Sequence, residues 1–294
     1  MIDNSNIPST EKTNISSPVG RVNHIQDYLI LEDAEIYYEV YGSGPPLIFA
    51  HGLGGNHLSW WKQIPYFIDR FTCVTFSHRG FSLSKNLSGK IGAKAFADDL
   101  SALINHLGLK DINLVAQSMG GWTSLNYALR ENSSIRSLVL ASTTGELNYS
   151  VIEHPQIKKL DKWKSISEKI TSELKSKGLL AATGPRMAME QPEMNFLYKQ
   201  IYDLTPTPYK DKVRKDIRSS RTLAPNALTN LKIPVLFIVG DEDIVFPPAA
   251  AEAASSLISN SKINRVPKAG HSVYFERPEI FNKLVDDFLA SLTV

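Results

Sequence analysis

The segment Ile112–Gly121, Ile-Asn-Leu-Val-Ala-Gln-Ser-Met-Gly-Gly, drives an apolar strand directly into a serine flanked by small residues. Such a passage reads as a nucleophile elbow. A turn this tight between strand and helix strains the backbone of its central residue and lifts that side chain above the sheet. Ala116 and Gly120 occupy the positions two before and two after Ser118, where a larger side chain would strike neighbouring backbone. Downstream, Met119–Arg130 carries Trp122, Leu125, Tyr127, Ala128 and Leu129 among polar residues, the pattern of a helix packed on a sheet. Ser118 then stands at a helix N-terminus, where unpaired N–H groups and the dipole favour negative charge. The amide of Met119 is thereby placed to face an oxyanion formed on a carbonyl that Ser118 attacks. A serine that only caps a helix would explain this segment by itself, so the reading depends on a base and an acid elsewhere.

Both are found in the C-terminal third. Ile233–Val239 is a continuous apolar run of the kind buried on both faces of a sheet, and Gly240-Asp241-Glu242-Asp243-Ile244-Val245-Phe246-Pro247-Pro248 follows it. Ser261–Val266 reads as another strand and leads through Pro267, Lys268, Ala269 and Gly270 to His271. A serine, a choice of three acids and a histidine therefore follow three strand-like runs, in that order.

These segments together resemble the α/β-hydrolase superfamily, whose triad runs Ser, Asp or Glu, His along the chain. The family's acid loop commonly reads Gly-x-x-Asp-x-x-x-Pro. Gly240, Asp243 and Pro247 match it, so the resemblance selects Asp243 over Asp241 and Glu242. Gly270-His271 matches the family's histidine loop. Some members carry the acid one strand earlier, but the corresponding turn here, Ala141–Gly145, has no carboxylate. The resemblance thus implies a triad of Ser118, Asp243 and His271.

After the apolar run Pro46–Ala50, His51-Gly52-Leu53-Gly54-Gly55 is similar to the family's His-Gly-x oxyanion segment. By that match the amide of Leu53 is a second oxyanion donor beside Met119, and His51 holds the loop rather than taking part in chemistry. The segment lacks both Gly-x-Gly-x-x-Gly and a Walker lysine with its Ser/Thr, which disfavours nucleotide binding. Ser77-His78-Arg79-Gly80-Phe81-Ser82-Leu83-Ser84 keeps Arg79, Gly80 and Ser84 of the family's Asp-x-Arg-Gly-x-Gly-x-Ser loop and departs from it at Ser77 and Ser82. Ala116 departs likewise from the usual glycine.

Strand-like and helical runs alternate from Tyr28 to Ala141, which predicts an α/β fold with a mostly parallel central sheet and helices on both faces. Between Gly145 and about Asn226 the alternation stops. Amphipathic stretches at Gln156–Lys177 and Met187–Tyr202 precede the proline-rich Thr205–Pro208, and this segment resembles the helical cap that many members insert. The expected division is a disordered tail over 1–22, a first core part over 23–145, a cap over 146–226 and a second core part over 227–294. Met187, Met189, Met194, Phe196, Leu197, Tyr198 and Tyr202 are candidates for an apolar inner cap face, with ordinary helix packing as the competing explanation. His57, Trp60, Trp61, Met187 and Met189 are candidate substrate-pocket residues.

Bulk features narrow the partners. The chain of 294 residues is 43% hydrophobic, enough for one large core with an insertion. Its net charge of +2 implies neither nucleic acid nor a membrane surface as partner. The single cysteine, Cys73, lies in a strand-like run and is read as core. No signal-peptide or membrane-spanning run is legible, so a cytoplasmic location is expected. The resemblance implies a serine hydrolase cleaving a carboxylic ester or lactone of a small to medium apolar molecule, with no cofactor or metal. Serine at the elbow argues against relatives with a carboxylate nucleophile. Enol-lactone hydrolysis, C–C hydrolysis, cofactor-free perhydrolysis and a ligand-receptor role share the same machinery, and the oligomeric state is left open.

Overall fold

The computed structural model describes His24–Leu292, and the stretch read as a disordered tail lies outside these residues. Nine strands among the described residues join in one sheet. They are β1 (His24–Ile30), β2 (Ala34–Tyr41), β3 (Pro46–Ala50), β4 (Thr72–Phe76), β5 (Lys85–Asn86), β6 (Ile112–Gln117), β7 (Ile135–Ala141), β8 (Val235–Gly240) and β9 (Ser261–Val266). Their spatial order is β1-β2-β4-β3-β6-β7-β8-β9, with β5 paired to β2. The pairs that β2 makes are antiparallel, and from β4 to β9 every pair is parallel. The continuous apolar runs are the central strands: every residue of β6 and of β8 is buried. The edge strand β9 is instead only partly buried, with Lys262 and Arg265 facing water, which blunts pairing with other chains.

Ten α-helices and five short 3-10 turns complete the described chain. α1 (Ile64–Phe67), α2 (Ala93–His106) and α3 (Gly120–Arg130) precede or follow the first parallel strands. Between β7 and β8 come α4 (Leu160–Ser176), α5 (Gly184–Glu190), α6 (Pro192–Asp203) and α7 (Thr207–Ser219). α8 (Pro248–Ser255), α9 (Val273–Glu276) and α10 (Pro278–Ala290) close the chain. The two-residue period of the strands sends alternate side chains into two cores. Ile48, Leu114, Leu138 and Phe237 pack with Leu100 of α2, Leu125 of α3 and Ala251 of α8. Leu47, Phe49, Val115 and Leu236 pack on the other face with Phe67 of α1 and Phe281 and Val285 of α10. Each such large side chain contributes about 1.5–3 kcal/mol relative to exposure. Cys73 is buried in the second of these cores.

The proline-rich stretch Thr205–Pro208 opens α7, with Pro206 as N-cap and Pro208 in the first turn. Proline is at home there because the first turn makes no use of its missing N–H. Met189 and Phe196, read as inner-face residues, are 76% and 65% exposed. The buried stripe of α6 is Met194, Leu197, Tyr198 and Ile201, spaced i, i+3, i+4, i+7, and Phe196 falls outside it. No described helix is long and apolar enough to cross a membrane.

The chain order reverses at β3, which lies between β4 and β6. In open parallel sheets a ligand lies beyond the strand carboxyl ends at such a point. The loops after β3, β6, β7, β8 and β9 all emerge at this edge.

Candidate active site

Ser118 follows directly on the register that pairs Ala116 with Ala50 of β3 and Gln117 with Ala141 of β7. Its N–H donates to the carbonyl of Ala141 at 3.0 Å, and its φ of 50° lies in the left-handed region that a non-glycine residue adopts only under constraint. Gly120 makes that turn possible: a Cβ there would lie 2.1 Å from the carbonyl oxygen of Ala50. At Gly52 a Cβ would lie 2.0 Å from Gln117 Oε1, so the loop after β3 presses on the elbow.

The hydroxyl of Ser118 lies 2.9 Å from His271 Nε2, and His271 Nδ1 lies 2.9 Å from Asp243 Oδ2. Asp243 is held in turn by the N–H groups of Val245 and Phe246, both donating to Oδ1 at 2.8 Å. With that carboxylate as acceptor, the proton of a neutral His271 sits on Nδ1 and leaves Nε2 to accept from Ser118. Asp243 and His271 are buried, and Ser118 is partly open. Two further bonds hold the histidine loop. Gln117 Nε2 donates to the His271 carbonyl at 3.2 Å, and the Gly270 N–H donates to Glu276 Oε2 at 2.6 Å. Burial raises the Glu276 carboxyl above its ordinary pKa, the bond from Gly270 opposing that shift.

The amides of Leu53 and Met119 donate to no described group, and Met119 caps α3. A chain of imidazoles braces the Leu53 loop. His51 Nδ1 donates to the Gly52 carbonyl at 2.8 Å, while His51 Nε2 accepts from the His78 N–H at 3.0 Å and faces His78 Nδ1 at 2.9 Å. His78 Nε2 lies 2.8 Å from Thr123 Oγ1. Burial pushes His51 down to about 3 and His78 well below its ordinary value, so both are neutral and the chain of donors is consistent. The departures at Ser77 and Ser82 are absorbed locally. Ser77 Oγ accepts from the His57 N–H at 3.2 Å, and the Ser82 N–H donates to Thr205 Oγ1 at 3.1 Å. The retained Arg79 grips Asp99 at 2.7 and 2.6 Å and Asp33 at 3.2 Å.

The five pocket candidates are scattered, and this corrects most of that expectation. Trp60 is fully buried against Tyr274 and Phe49, because its large ring is better packed than hydrated. His57 is buried edge-on to Tyr37 and engaged with Ser77. Trp61 lies on the surface against Phe275 and Lys62, and Met189 is exposed. Met187, however, is buried in the cluster that holds Tyr198 and Val273, next to the histidine loop.

Residues of α4–α7 that sequence reasoning missed touch each site loop. Trp163 Nε1 donates to the Asp243 carbonyl at 2.8 Å, and Arg186 forks onto Glu242 at 2.8 and 2.7 Å. The hydroxyl of Tyr198, named earlier only for its apolar ring, accepts from Ser272 Oγ at 3.2 Å and sits over Gly54, where a Cβ would approach it to 2.9 Å. Tyr209 donates to the Arg79 carbonyl at 2.7 Å. No sequence motif marks these contacts, since each pairs residues far apart in the chain.

Residues 45–278 match a family model described as alpha/beta hydrolase fold. The chain is 25% identical over 271 residues to 3-oxoadipate enol-lactonase 2 of Acinetobacter baylyi, covering 90% of this chain and 97% of that one. It is 22% identical over 267 residues to a non-heme haloperoxidase of Rhodococcus erythropolis, covering 88% and 97%. Among solved structures, Est816, described as an N-acyl homoserine lactone degrading enzyme, superposes with a TM-score of 0.73 at 20% identity, covering 89% of this chain and all of that one.

Proposed function

The chain belongs to the α/β-hydrolase fold family and is a hydrolase, and from that premise we propose that it cleaves a carboxylic ester or lactone of a small to medium apolar molecule through an acyl-enzyme on Ser118. One observation carries the reading: the unbroken hydrogen-bond chain from Ser118 through His271 to Asp243, 2.9 Å at each step.

In this scheme Ser118 Oγ bonds to the acyl carbon as its proton passes to His271 Nε2. Asp243 keeps the imidazole in the right tautomer and stabilises the imidazolium. The amides of Leu53 and Met119 receive the oxyanion, where low dielectric makes fixed donors most effective. Collapse breaks the bond to the leaving oxygen, which takes the proton from His271; in a lactone that alcohol stays tethered to the acyl chain. Water then gives a proton to His271 and attacks the acyl-enzyme, and the carboxylic acid leaves as Ser118 is reprotonated. The helices α4–α7, within the expected cap over 146–226, are assigned to covering the site between the core parts 23–145 and 227–294. Their contacts with the Asp243, His271 and Arg79 loops support this.

The test is intact-mass labelling with a fluorophosphonate probe, using wild type, Ser118→Ala and His271→Ala. A single adduct on wild type that both substitutions abolish is expected. Absence of any adduct on folded wild type would overturn the acyl-enzyme reading.

A further inference from the structure

The guanidinium of Arg221 is sandwiched between two rings, 4.9 Å from the centre of Trp122 and 4.8 Å from that of Tyr149. Its Nη1 is buried and has no hydrogen-bond partner among the described residues. Burial opposes its charge most; the ring of Tyr149 favours the charge, and a second cation, Arg218, opposes it. Arg79, Arg186 and Arg265, by contrast, each hold carboxylates. A partly desolvated cation without an anion is costly, and aromatic faces compensate only part of that cost.

The adjoining loop and helix carry other buried donors. Ser142 Oγ, Thr144 Oγ1 and Trp122 Nε1 are buried without partners among the described residues, on residues no more than 3% exposed. Native structures rarely leave several such groups together without a ligand or water between them. Glu146, the one carboxylate in the loop from Ser142 to Tyr149, is turned to Asn126 Nδ2 at 2.9 Å.

That loop and helix adjoin the nucleophile. Ser142, itself at φ 50°, follows Ala141, whose carbonyl takes the Ser118 N–H. A Cβ on Gly121 would lie 2.4 Å from Thr143 Oγ1, so the loop lies directly on the first turn of α3. Trp122 lies in the first turn of α3, four residues past Ser118. Leu223 exchanges bonds of 3.0 and 2.9 Å with Glu146 and Asn148, which pins the Arg221 segment to that loop.

We propose that Arg221 is the anion-binding group of the substrate site, and that the substrate is an otherwise apolar ester or lactone whose acyl chain ends in a carboxylate. This rests on the acyl-enzyme reading of Ser118. The guanidinium supplies charge and a planar fork, and the idle hydroxyl and indole donors line the way to it.

The test compares p-nitrophenyl hydrogen glutarate with p-nitrophenyl 5-methylhexanoate, which replaces the carboxylate by an uncharged isopropyl group of similar shape. Arg221→Gln is expected to lower the ratio of kcat/KM values, charged over neutral, by about tenfold or more, mainly through KM. Arg221→Lys is expected to fall between, and it carries the comparison if the glutamine variant does not fold. Fluorophosphonate labelling of Ser118 should be unchanged in both. A ratio that stays within about twofold of wild type, with Ser118 still labelled, overturns the anion site and leaves the hydrolase reading standing. If Ser118 is not labelled and neither ester turns over, titration with glutarate, followed by indole fluorescence, reads the site directly. Saturable quenching in wild type that Arg221→Gln loses would support the anion site without the hydrolase reading, and no saturable response would end it.

Discussion

The indole N–H of Trp163 donates to the main-chain carbonyl of Asp243 at 2.8 Å, so α4 holds the turn that aims the acid at His271. Removing only the donor isolates this tie. Trp163→Phe is expected to cost about 1 kcal/mol of stability and to reduce kcat a few-fold, because the Asp243 carbonyl loses its partner while the ring stays packed. Urea unfolding and ester kinetics on one preparation check it. Unchanged values in both would mean that the contact is incidental.

Asp243→Asn probes the tautomer. Oδ1 accepts from two backbone amides, so an asparagine keeps its oxygen there and turns its NH2 toward His271. The imidazole must then present Nδ1 as acceptor and carry its proton on Nε2, facing Ser118. A loss of about 10⁴ in kcat is expected, with little change in unfolding midpoint. A loss below tenfold would indicate that Asp243 does not orient the base.

Gly120 tests the elbow itself. The methyl of Gly120→Ala would lie 2.1 Å from the Ala50 carbonyl, a backbone atom that cannot swing aside. Destabilisation of about 3 kcal/mol is expected, with loss of fluorophosphonate labelling in whatever folds. A variant with wild-type melting and labelling would show the turn to be far looser than its contacts imply.

Acid should weaken the fold through the buried imidazoles. His51 titrates at 6.5 when unperturbed and at about 3 when folded, and His78 lies well below 6.5. Between those values the unfolded chain binds more protons, so stability falls as pH drops from about 6.5 and is flat above about 7 with respect to these groups. Each histidine accounts for up to about 1.4 kcal/mol per pH unit in that window. His78→Gln, which cannot take a proton, is expected to show a shallower decline in unfolding free energy from pH 6.5 to 4.5. An identical slope would contradict a neutral His78.

Much of the core was legible because local pattern and burial coincide there. The runs Pro46–Ala50 and Ser261–Val266 became strands at the expected bounds, since a short run of this kind bounded by turn residues has one favourable state in a covered sheet. The elbow was legible for a related reason: small residues around Ser118 are a steric requirement of the turn and therefore appear in the sequence itself. The helices between β7 and β8 were read less well. Amphipathic spacing marks a helix but not the direction in which its stripe will face, so Met189 and Phe196 were placed inward and lie outside. His57 and Trp60 were likewise drawn toward a pocket by their nearness in sequence to the Leu53 loop, whereas packing against Tyr37 and Tyr274 claims them.

The sequence alone marked the alternation of strands and helices and the tight serine turn, because those depend on short-range sterics and burial, and the resemblance of its loops to the family's motifs nominated Ser118, Asp243 and His271. The tertiary structure alone decided that Ser118, Asp243 and His271 lie within hydrogen-bonding reach, that Trp163 and Arg186 brace the acid loop, and that Arg221 stands beside Trp122 with no carboxylate partner among the described residues. Those relations join residues dozens to more than a hundred positions apart, and distances of that kind exist only once the sheet has set its register.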